Sequence, residues 1–355
     1  MQAGTTAIKG EVVAMPSFSC TVDYSIPQGL RLDRYVAEYL KILSRSQIKA
    51  RKLSAAINGK PVKISRILSG GEHLDISWEE AESFYLLPQN LPLDIVYEDS
   101  RVIVINKEQG MVVHPGAGNR QGTLANALFY RMLEKNGMQP DFHTSMEAWP
   151  HPGNNSEGAS SFPLQIQPGI RPGIVHRLDK DTSGVIIAAL DNDALAFLAS
   201  QFKARTVRKS YAALVLGCPK DAKGCINKRI ARSIRNRKIF TTSENYGRPS
   251  VTCYKLIKTY GKYSLLLIRP KTGRTHQIRV HLKYLGTPIL GDSLYGREDP
   301  RFKSASLMLH AKRLSIILPP NFGTIMPPCG ISAPGMQKTF RTPLPARFRK
   351  IIESL

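Results

Sequence analysis

The sequence predicts an α+β protein: a large domain built on a mixed, mainly antiparallel β-sheet with flanking helices, preceded by a small N-terminal α/β module. Three observations support this prediction. The chain has 355 residues, more than one compact core usually needs. From about residue 90, short runs rich in β-branched residues occur among a few helical stretches, without regular strand–helix alternation. Residues 31–66 form a separate, strongly basic segment.

The composition shifts suggest domain boundaries. We predict an N-terminal extension at 1–28, the small module at 29–85 and the larger domain at 90–355. Residues 136–170 are rich in Gly, Pro, Ser and Asn and show no periodicity. Such a stretch is typical of a long surface loop, and we expect a mobile insertion there.

The charge restricts the class of partner. The 50 Lys and Arg against 27 Asp and Glu give a formal net charge of +23, and such a field attracts nucleic acid or an anionic membrane. No apolar run approaches the ~18 residues that a membrane span requires. The first residues do not follow the signal-peptide pattern. We therefore expect a cytoplasmic protein that contacts nucleic acid and not a membrane.

The five cysteines form no C-x-x-C pair, and their number is odd. This pattern favours neither a zinc site nor a disulfide framework. We expect reduced thiols.

The basic segment 31–66 holds ten Lys and Arg but only two acids, Asp33 and Glu38. Apolar residues from Leu32 to Leu40 recur at helical spacing, and Ser44 or Ser46 can cap a second helix. Asn58–Gly59 then predicts a turn between short strands. A solvated charged face is the plain alternative, but cations spread over two helices and a turn favour nucleic-acid contact. The candidate contacts are Arg31, Arg34, Arg45, Lys49, Arg51, Lys52 and Lys60.

The larger domain gives groups of strand signals with a few helix signals among them. "LDIVYED", "RVIVINK" and "GMVVHP" predict consecutive strands, followed by a helix in "GTLANALFYRMLEK" with Thr123 as its cap. A helix is predicted around "DALAFLASQFKA". Strands are predicted at "SYAALVLG", "VTCYKLIKTY" and "YSLLLIRP". A last helix, "THQIRVHLKYLG", should end at Gly286.

The turn "HRLDKDTSG" carries the strongest chemical signal. A calcium loop is excluded because its twelfth position is Leu190 instead of a glutamate. A phosphotransferase with an aspartyl phosphate remains a distant alternative. Asp181 fits a β-turn that bonds its own backbone. Asp179, between Arg177 and Lys180, should be ionised at neutral pH and could act as a nucleophile or base.

Four ordered motifs resemble one enzyme family. They are "VVHPGAGNRQGTLANAL", "RPGIVHRLDKDTSGVIIAAL", "KSYAALVLG" and "PKTGRTHQIRVHLKYLGTPILGDSLYG". Together they resemble the RluA/RluD branch of the RNA pseudouridine synthases, and residues 29–85 resemble the alpha-L RNA-binding motif. The loop 136–170 and the Pro/Met-rich "PPNFGTIMPPCGISAPGMQ" depart from the family pattern but touch no motif.

The resemblance implies isomerisation of uridine to pseudouridine in RNA, with large-subunit ribosomal RNA as the expected substrate, without a cofactor or metal. Asp179 then corresponds to the catalytic residue, as nucleophile or base. Tyr211 stacks on the base and is a candidate for removing the C5 proton, and Arg279 pairs with the aspartate. Arg177 either fills the gap left by the extruded base or contacts a phosphate.

Further contacts are expected in the same motifs. The substrate-binding candidates are His176, Arg274, Thr275 and Gln277. Residues 203–238 carry twelve Lys and Arg and one acid, so Lys203 and Arg205 are expected to follow RNA phosphates beside the site. We expect a monomer whose partner is RNA. The alternative is a non-catalytic RNA-binding ribosome-assembly factor.

Overall fold

The computed structural model describes residues 15–79, 86–116, 118–135, 137, 172–234, 236, 237, 239–320 and 336–355. The chain divides into two compact units, whose described parts begin at residues 15 and 86. Apart from Gly137, the expected loop at 136–170 lies outside the described residues, as does most of the Pro/Met-rich segment.

The first unit is a four-stranded antiparallel sheet with two short helices. The strands are β1 (Ser17–Thr21), β2 (Ser54–Ile57), β3 (Lys60–Val62) and β4 (His73–Ser77), in the order β1-β4-β2-β3. Helix α1 (Leu32–Arg34) continues as a π-helical turn (Tyr35–Tyr39), and α2 is Arg45–Ala50. Leu32, Val36, Ile48 and Leu74 form part of the shared core.

Strand β1 differs from the sequence prediction, which assigned it to an N-terminal extension. All five of its residues pair with β4, so the sheet of the small module begins before residue 29. Four of the five side chains are exposed, and the segment therefore lacks the apolar alternation that marks a half-buried strand. The cap at Ser44 is present: its hydroxyl accepts from the Gln47 N–H, and the Gln47 side chain accepts from the Ser44 N–H.

The second unit is organised by a nine-stranded sheet. Its strands are β5 Ile95–Glu98, β6 Val102–Lys107, β7 Ser183–Ala189, β8 Arg208–Leu216, β9 Lys223–Asn227, β12 Val251–Tyr260, β13 Tyr263–Pro270, β14 Leu309–Ile317 and β15 Gln337–Arg341. They lie in the order β5-β6-β7-β14-β8-β13-β12-β9, with β15 paired to β14. Only the β14–β7 pairing is parallel among the described strands. This sheet confirms the predicted α+β class. A separate hairpin joins β10 (Arg229–Arg232) and β11 (Phe240–Ser243).

The helices of this unit are α3 (Leu124–Lys135), α4 (Asn192–Ala204), α5 (Gln277–Tyr284) and α6 (Ala346–Glu353). Asp191 caps α4 by accepting from the Ala194 N–H, and its carboxylate also pairs with Arg101. None of the helices in the described parts of the chain is both long and apolar enough to cross a membrane.

The thiol prediction was wrong for one pair of cysteines. Cys225 on β9 and Cys253 on β12 form a disulfide, because antiparallel pairing places them directly opposite each other. The two cysteines are 28 positions apart in the sequence, and that spacing gives no signal of this register. Cys20 and Cys218 are free, and Cys329 lies outside the described residues.

A buried polar network joins the start of β7 to β14 and the C-terminal helix. His310 Nδ1 lies 2.9 Å from the Ser183 hydroxyl, and its Nε2 lies 2.9 Å from the Thr342 hydroxyl. Arg347 on α6 donates to the same Ser183 oxygen at 2.7 Å. Burial, reinforced by the Arg347 charge, lowers the pKa of His310 to about 4, so the imidazole is neutral at pH 7.

Candidate active site

A cleft of about 430 Å³ opens on the second unit. Its walls come from the loop before β7, the end of α4, strand β8, and the turn that leads from β13 into α5. Every residue that the sequence predicted for catalysis or substrate contact lines this cleft, together with two predicted RNA contacts. They are Asp179, Tyr211, Arg279, Arg177, His176, Arg274, Thr275, Gln277, Lys203 and Arg205.

The aspartate turn is fixed by backbone contacts. The Asp179 carbonyl accepts from the Thr182 N–H at 3.1 Å, which closes the turn just before β7. The next carbonyl, that of Lys180, accepts both from the Gly110 N–H at 2.9 Å and from Lys107 Nζ at 3.1 Å. The turn therefore presents the Asp179 carboxylate, 18% exposed, from a backbone that is held on both sides.

Lys107, at the end of β6, was not singled out from the sequence. Its ammonium is buried and also donates to the carbonyls of Glu108 at 2.7 Å and Met111 at 2.8 Å. Burial lowers the pKa of this ammonium to about 8, although the negative charges of Asp181 and Asp179 act to raise it. The sequence signal that could have identified Lys107 is a lysine placed soon after the apolar run "VIVI" of a buried strand.

Arg279 on α5 faces Asp179, as predicted, but its tight partner is another acid. Its Nη1 lies 3.8 Å from Asp179 Oδ2, whereas Nε and Nη2 donate to both carboxylate oxygens of Asp292 at 2.8 and 2.7 Å. Burial would lower the pKa of Arg279, but the two carboxylates, Asp292 above all, more than offset it and raise the pKa. The guanidinium is thus a fixed positive charge beside Asp179.

Asp292, which was not assigned a role from the sequence, is the residue that fixes Arg279. Its carboxylate is fully buried and also accepts from the backbone N–H groups of Leu294 and Tyr295, each at 3.0 Å. The Tyr295 ring lies beneath the guanidinium, with 5.1 Å between the Arg279 Cζ and the ring centroid. The acid, the ring and the cation form one rigid unit behind the catalytic candidate.

Tyr211 on β8 is 8% exposed and lines the cleft. Burial, and after it the negative charge of Asp179, raises the pKa of its phenol. The phenol therefore keeps its proton at neutral pH, and it presents an aromatic face and a hydroxyl donor.

His176 is anchored within the fold. Its Nε2 accepts from the Ile187 N–H at 3.1 Å, and its ring stacks on Phe202 with centroids 4.6 Å apart. Burial, and then the positive charge of Lys209, lowers its pKa to about 3. A neutral imidazole at the cleft wall fits a role in positioning the loop that carries Asp179.

Gln277 uses its whole amide inside the fold. Its Nε2 donates to the Val251 carbonyl at 3.0 Å and to the Thr252 hydroxyl at 2.9 Å. Its Oε1 accepts from the Thr272 hydroxyl at 2.7 Å and the Arg274 N–H at 3.0 Å. Gln277 therefore shapes the turn before α5, which leaves the Arg274 and Thr275 side chains on the cleft wall.

The seven cations predicted to bind RNA in the small module belong to the first unit. Arg31 and Arg45 both pair with Asp33, at 3.0 and 3.6 Å. Arg34 pairs with Glu38 at 2.9 Å, and Lys52 with Glu79 at 2.9 Å. Lys49 and Lys60 are exposed and Arg51 is half-buried.

The site defines a class of protein: an acid in a basic cleft, with a fixed arginine beside it and a protonated tyrosine in the cleft wall. Residues 101–284 match the family described as RNA pseudouridylate synthase, and the chain belongs to this family. It is therefore an RNA pseudouridine synthase, as the motifs predicted.

The relatives agree with this assignment. A Borreliella burgdorferi protein named "Ribosomal large subunit pseudouridine synthase D" is 42% identical over 81% of this chain and 82% of its own length. A Haemophilus ducreyi protein of the same name is 32% identical over 92% of this chain and 91% of its own. The fold is similar to that of human RNA pseudouridylate synthase domain containing 4, with a TM-score of 0.50 and 22% identity, over 73% of this chain and 91% of that one.

Proposed function

We propose that this protein converts specific uridines of large-subunit ribosomal RNA to pseudouridine, with Asp179 as the catalytic residue. The observation that carries the proposal is the 3.8 Å approach of Arg279 to the Asp179 carboxylate inside the cleft that Tyr211 also lines. The names of the Borreliella and Haemophilus relatives support the choice of RNA.

The reaction breaks the N1–C1′ bond of uridine, turns the uracil and joins C5 to C1′; C5 then loses its proton, which passes to water, and N1 takes up a proton. Asp179 supplies the charged oxygen, either by adding to C1′ or by removing the C2′ proton, and Arg279 orients that carboxylate. The target base must first leave its stack, at a cost of a few kcal/mol. Arg177, exposed on the cleft wall, either fills the gap or contacts a phosphate.

Tyr211 holds the detached uracil. Because the raised pKa keeps the phenol protonated, we assign it to packing against the base and to hydrogen-bond donation. A neutral phenol is a poor acceptor for the C5 proton at pH 7.

The remaining cations bind the RNA backbone. Lys203 and Arg205 lie at the cleft, where they can follow phosphates without reading sequence. In the small module, Lys49, Arg51 and Lys60 are the better candidates, since Arg31, Arg34, Arg45 and Lys52 already face carboxylates. We propose that the protein acts as a monomer in the cytoplasm.

Release of tritium from ribosomal RNA labelled at uridine C5 tests the chemistry directly. Asp179→Asn should abolish release while RNA affinity stays within about threefold, and Asp181→Asn, whose side chain is exposed, is the matched control that should remain active. Release by the Asp179 variant at the wild-type rate would remove Asp179 from the proposal. Pseudouridine mapping of ribosomal RNA with and without the protein identifies the targets; no change at any site would favour the non-catalytic assembly factor.

A further inference from the structure

Lys209 is a further cation inside the cleft, and the sequence motifs gave it no role. It lies two residues before Tyr211 on β8, so strand alternation places both side chains on the same face of the sheet. Both line the cleft. The Lys209 ammonium lies 5.9 Å from the Phe202 ring centroid and is half-buried.

Within the described residues, Lys209 has neither an ion pair nor a hydrogen bond for its ammonium. Burial lowers its pKa, and no neighbouring carboxylate opposes the effect. The contrast with Lys107 is direct, because that buried ammonium donates to three carbonyls. A lysine that serves only the fold would be expected to have such acceptors.

Arg274 also lines the cleft. Its Nε is buried and has no hydrogen-bond partner in the described part of the chain, while its backbone N–H donates to Gln277. The residue before it, Gly273, lies against Lys209: a Cβ built on Gly273 would stand 3.6 Å from Lys209 Nζ. Gly273 therefore lies next to both cations, beside Arg274 in the chain and against Lys209 in space, and neither cation has an acidic partner among the described residues.

We propose that Lys209 and Arg274 together bind one phosphodiester that flanks the extruded uridine, and so set the depth at which its ribose meets Asp179. This inference rests on the proposed function. A phosphate is the anion that an RNA substrate brings into the cleft, and it would supply the acceptors that both groups lack. Because Lys209 is half-buried, its charge is less screened than that of a surface lysine.

The test is a chemical double-mutant cycle. The probe is a short synthetic RNA that spans a uridine mapped as a target, with one neutral methylphosphonate placed either 5′ or 3′ of that uridine. Single-turnover rate and Kd are measured for the wild type, Lys209→Met and Lys209→Arg, with Lys303→Met, an exposed lysine outside the cleft, as control. Methionine is apolar and of similar length, so the half-buried position stays filled.

On unmodified RNA we expect Lys209→Met to lose about tenfold in the ratio of single-turnover rate to Kd, Lys209→Arg to recover most of it, and Lys303→Met to match the wild type. One of the two methylphosphonates should cost the wild type about tenfold and the Met variant less than about twofold. The slope of log Kd against log salt should fall by about 0.7 to 0.9 in the Met variant.

The inference is overturned if Lys209→Met and each methylphosphonate act independently, so that their fold-changes multiply when they are combined. Full activity of Lys209→Met also overturns it. Neither result touches the proposed function, which is tested separately by Asp179→Asn and by pseudouridine mapping with the wild type.

Discussion

Replacing Lys107 with Met tests whether the aspartate turn depends on the buried ammonium beneath it. The change leaves the carbonyls of Glu108 and Met111 without this donor, at about 1–3 kcal/mol each, whereas the Lys180 carbonyl keeps its Gly110 contact. It also removes the penalty for burying the charge. The pKa shift from 10.5 to about 8 makes that penalty about 3 kcal/mol. Because these effects oppose each other, the free energy of unfolding should fall by no more than about 3 kcal/mol.

Activity should fall further than stability. The Lys180 carbonyl is next to Asp179, and a misplacement of about 1 Å near a reacting group can cost about 100-fold in rate. We expect Lys107→Met to lower the single-turnover rate by about 10- to 100-fold with RNA affinity little changed, while Lys303→Met behaves as wild type. Tritium release and urea unfolding measure the two effects. A folded Lys107→Met protein whose rate is within twofold of wild type would refute the tethering role.

The same variant gives a pH signature. Below pH 8, Lys107 is protonated in both the folded and the unfolded state, so the burial penalty is fully present. Between pH 8 and 10.5, the folded protein releases the proton first, and the unfolded state binds more protons. The stability of the wild type relative to Lys107→Met should therefore rise by about 3 kcal/mol over this window, as measured by urea unfolding at several pH values.

Three further predictions concern other groups of the second unit. His310, with its pKa lowered to about 4, stays neutral in the fold while the unfolded state binds a proton, so His310 alone should cost about 3 kcal/mol of stability between pH 6.5 and 4; in urea titrations over this window, His310→Gln should lose about 3 kcal/mol less than the wild type. Reduction of Cys225–Cys253, which closes 28 residues, should lower the free energy of unfolding by about 3–4 kcal/mol, and equal urea midpoints with and without dithiothreitol would contradict this. Asp292→Ala leaves the buried Arg279 guanidinium without its tight carboxylate partner and should lower the free energy of unfolding by about 3–5 kcal/mol. An unchanged urea midpoint would show that the pair is dispensable.

The sequence predicted elements whose residues pack in a regular pattern. "RVIVINK" contains strand β6 because nearly all of the strand is buried, paired with β5 on one side and β7 on the other. "GMVVHP" has similar composition but forms no strand beyond a single bridge at Val112. The carbonyls of Val112 and Val113 instead accept from the first amides of α3, those of Leu124 and Ala125. Composition does not distinguish a strand from a segment that crosses the start of a helix.

The site residues likewise fall into those that the sequence predicts and those that only the fold brings together. Asp179, Tyr211 and Arg279 were found because they lie in recognisable motifs, and all three line the cleft. Asp292 is 13 residues from Arg279, and Lys107 is 73 residues from the carbonyl that it holds. Such contacts depend on how β6, β7 and α5 meet in space, and local sequence spacing does not encode that.

The cations in and around the cleft differ in which groups accept their hydrogen bonds, and this difference assigns their roles. Lys107 is fully used by backbone carbonyls and belongs to the scaffold. Arg279 is used by Asp292 and keeps one nitrogen toward Asp179, so it belongs to the catalytic acid. Lys209 and Arg274 Nε have no acceptor within the described chain. Keeping unpaired cations in a half-buried wall costs stability, and that cost is recovered only when an anion enters. In an enzyme that acts on RNA, the anion that must enter with every uridine is its own phosphate.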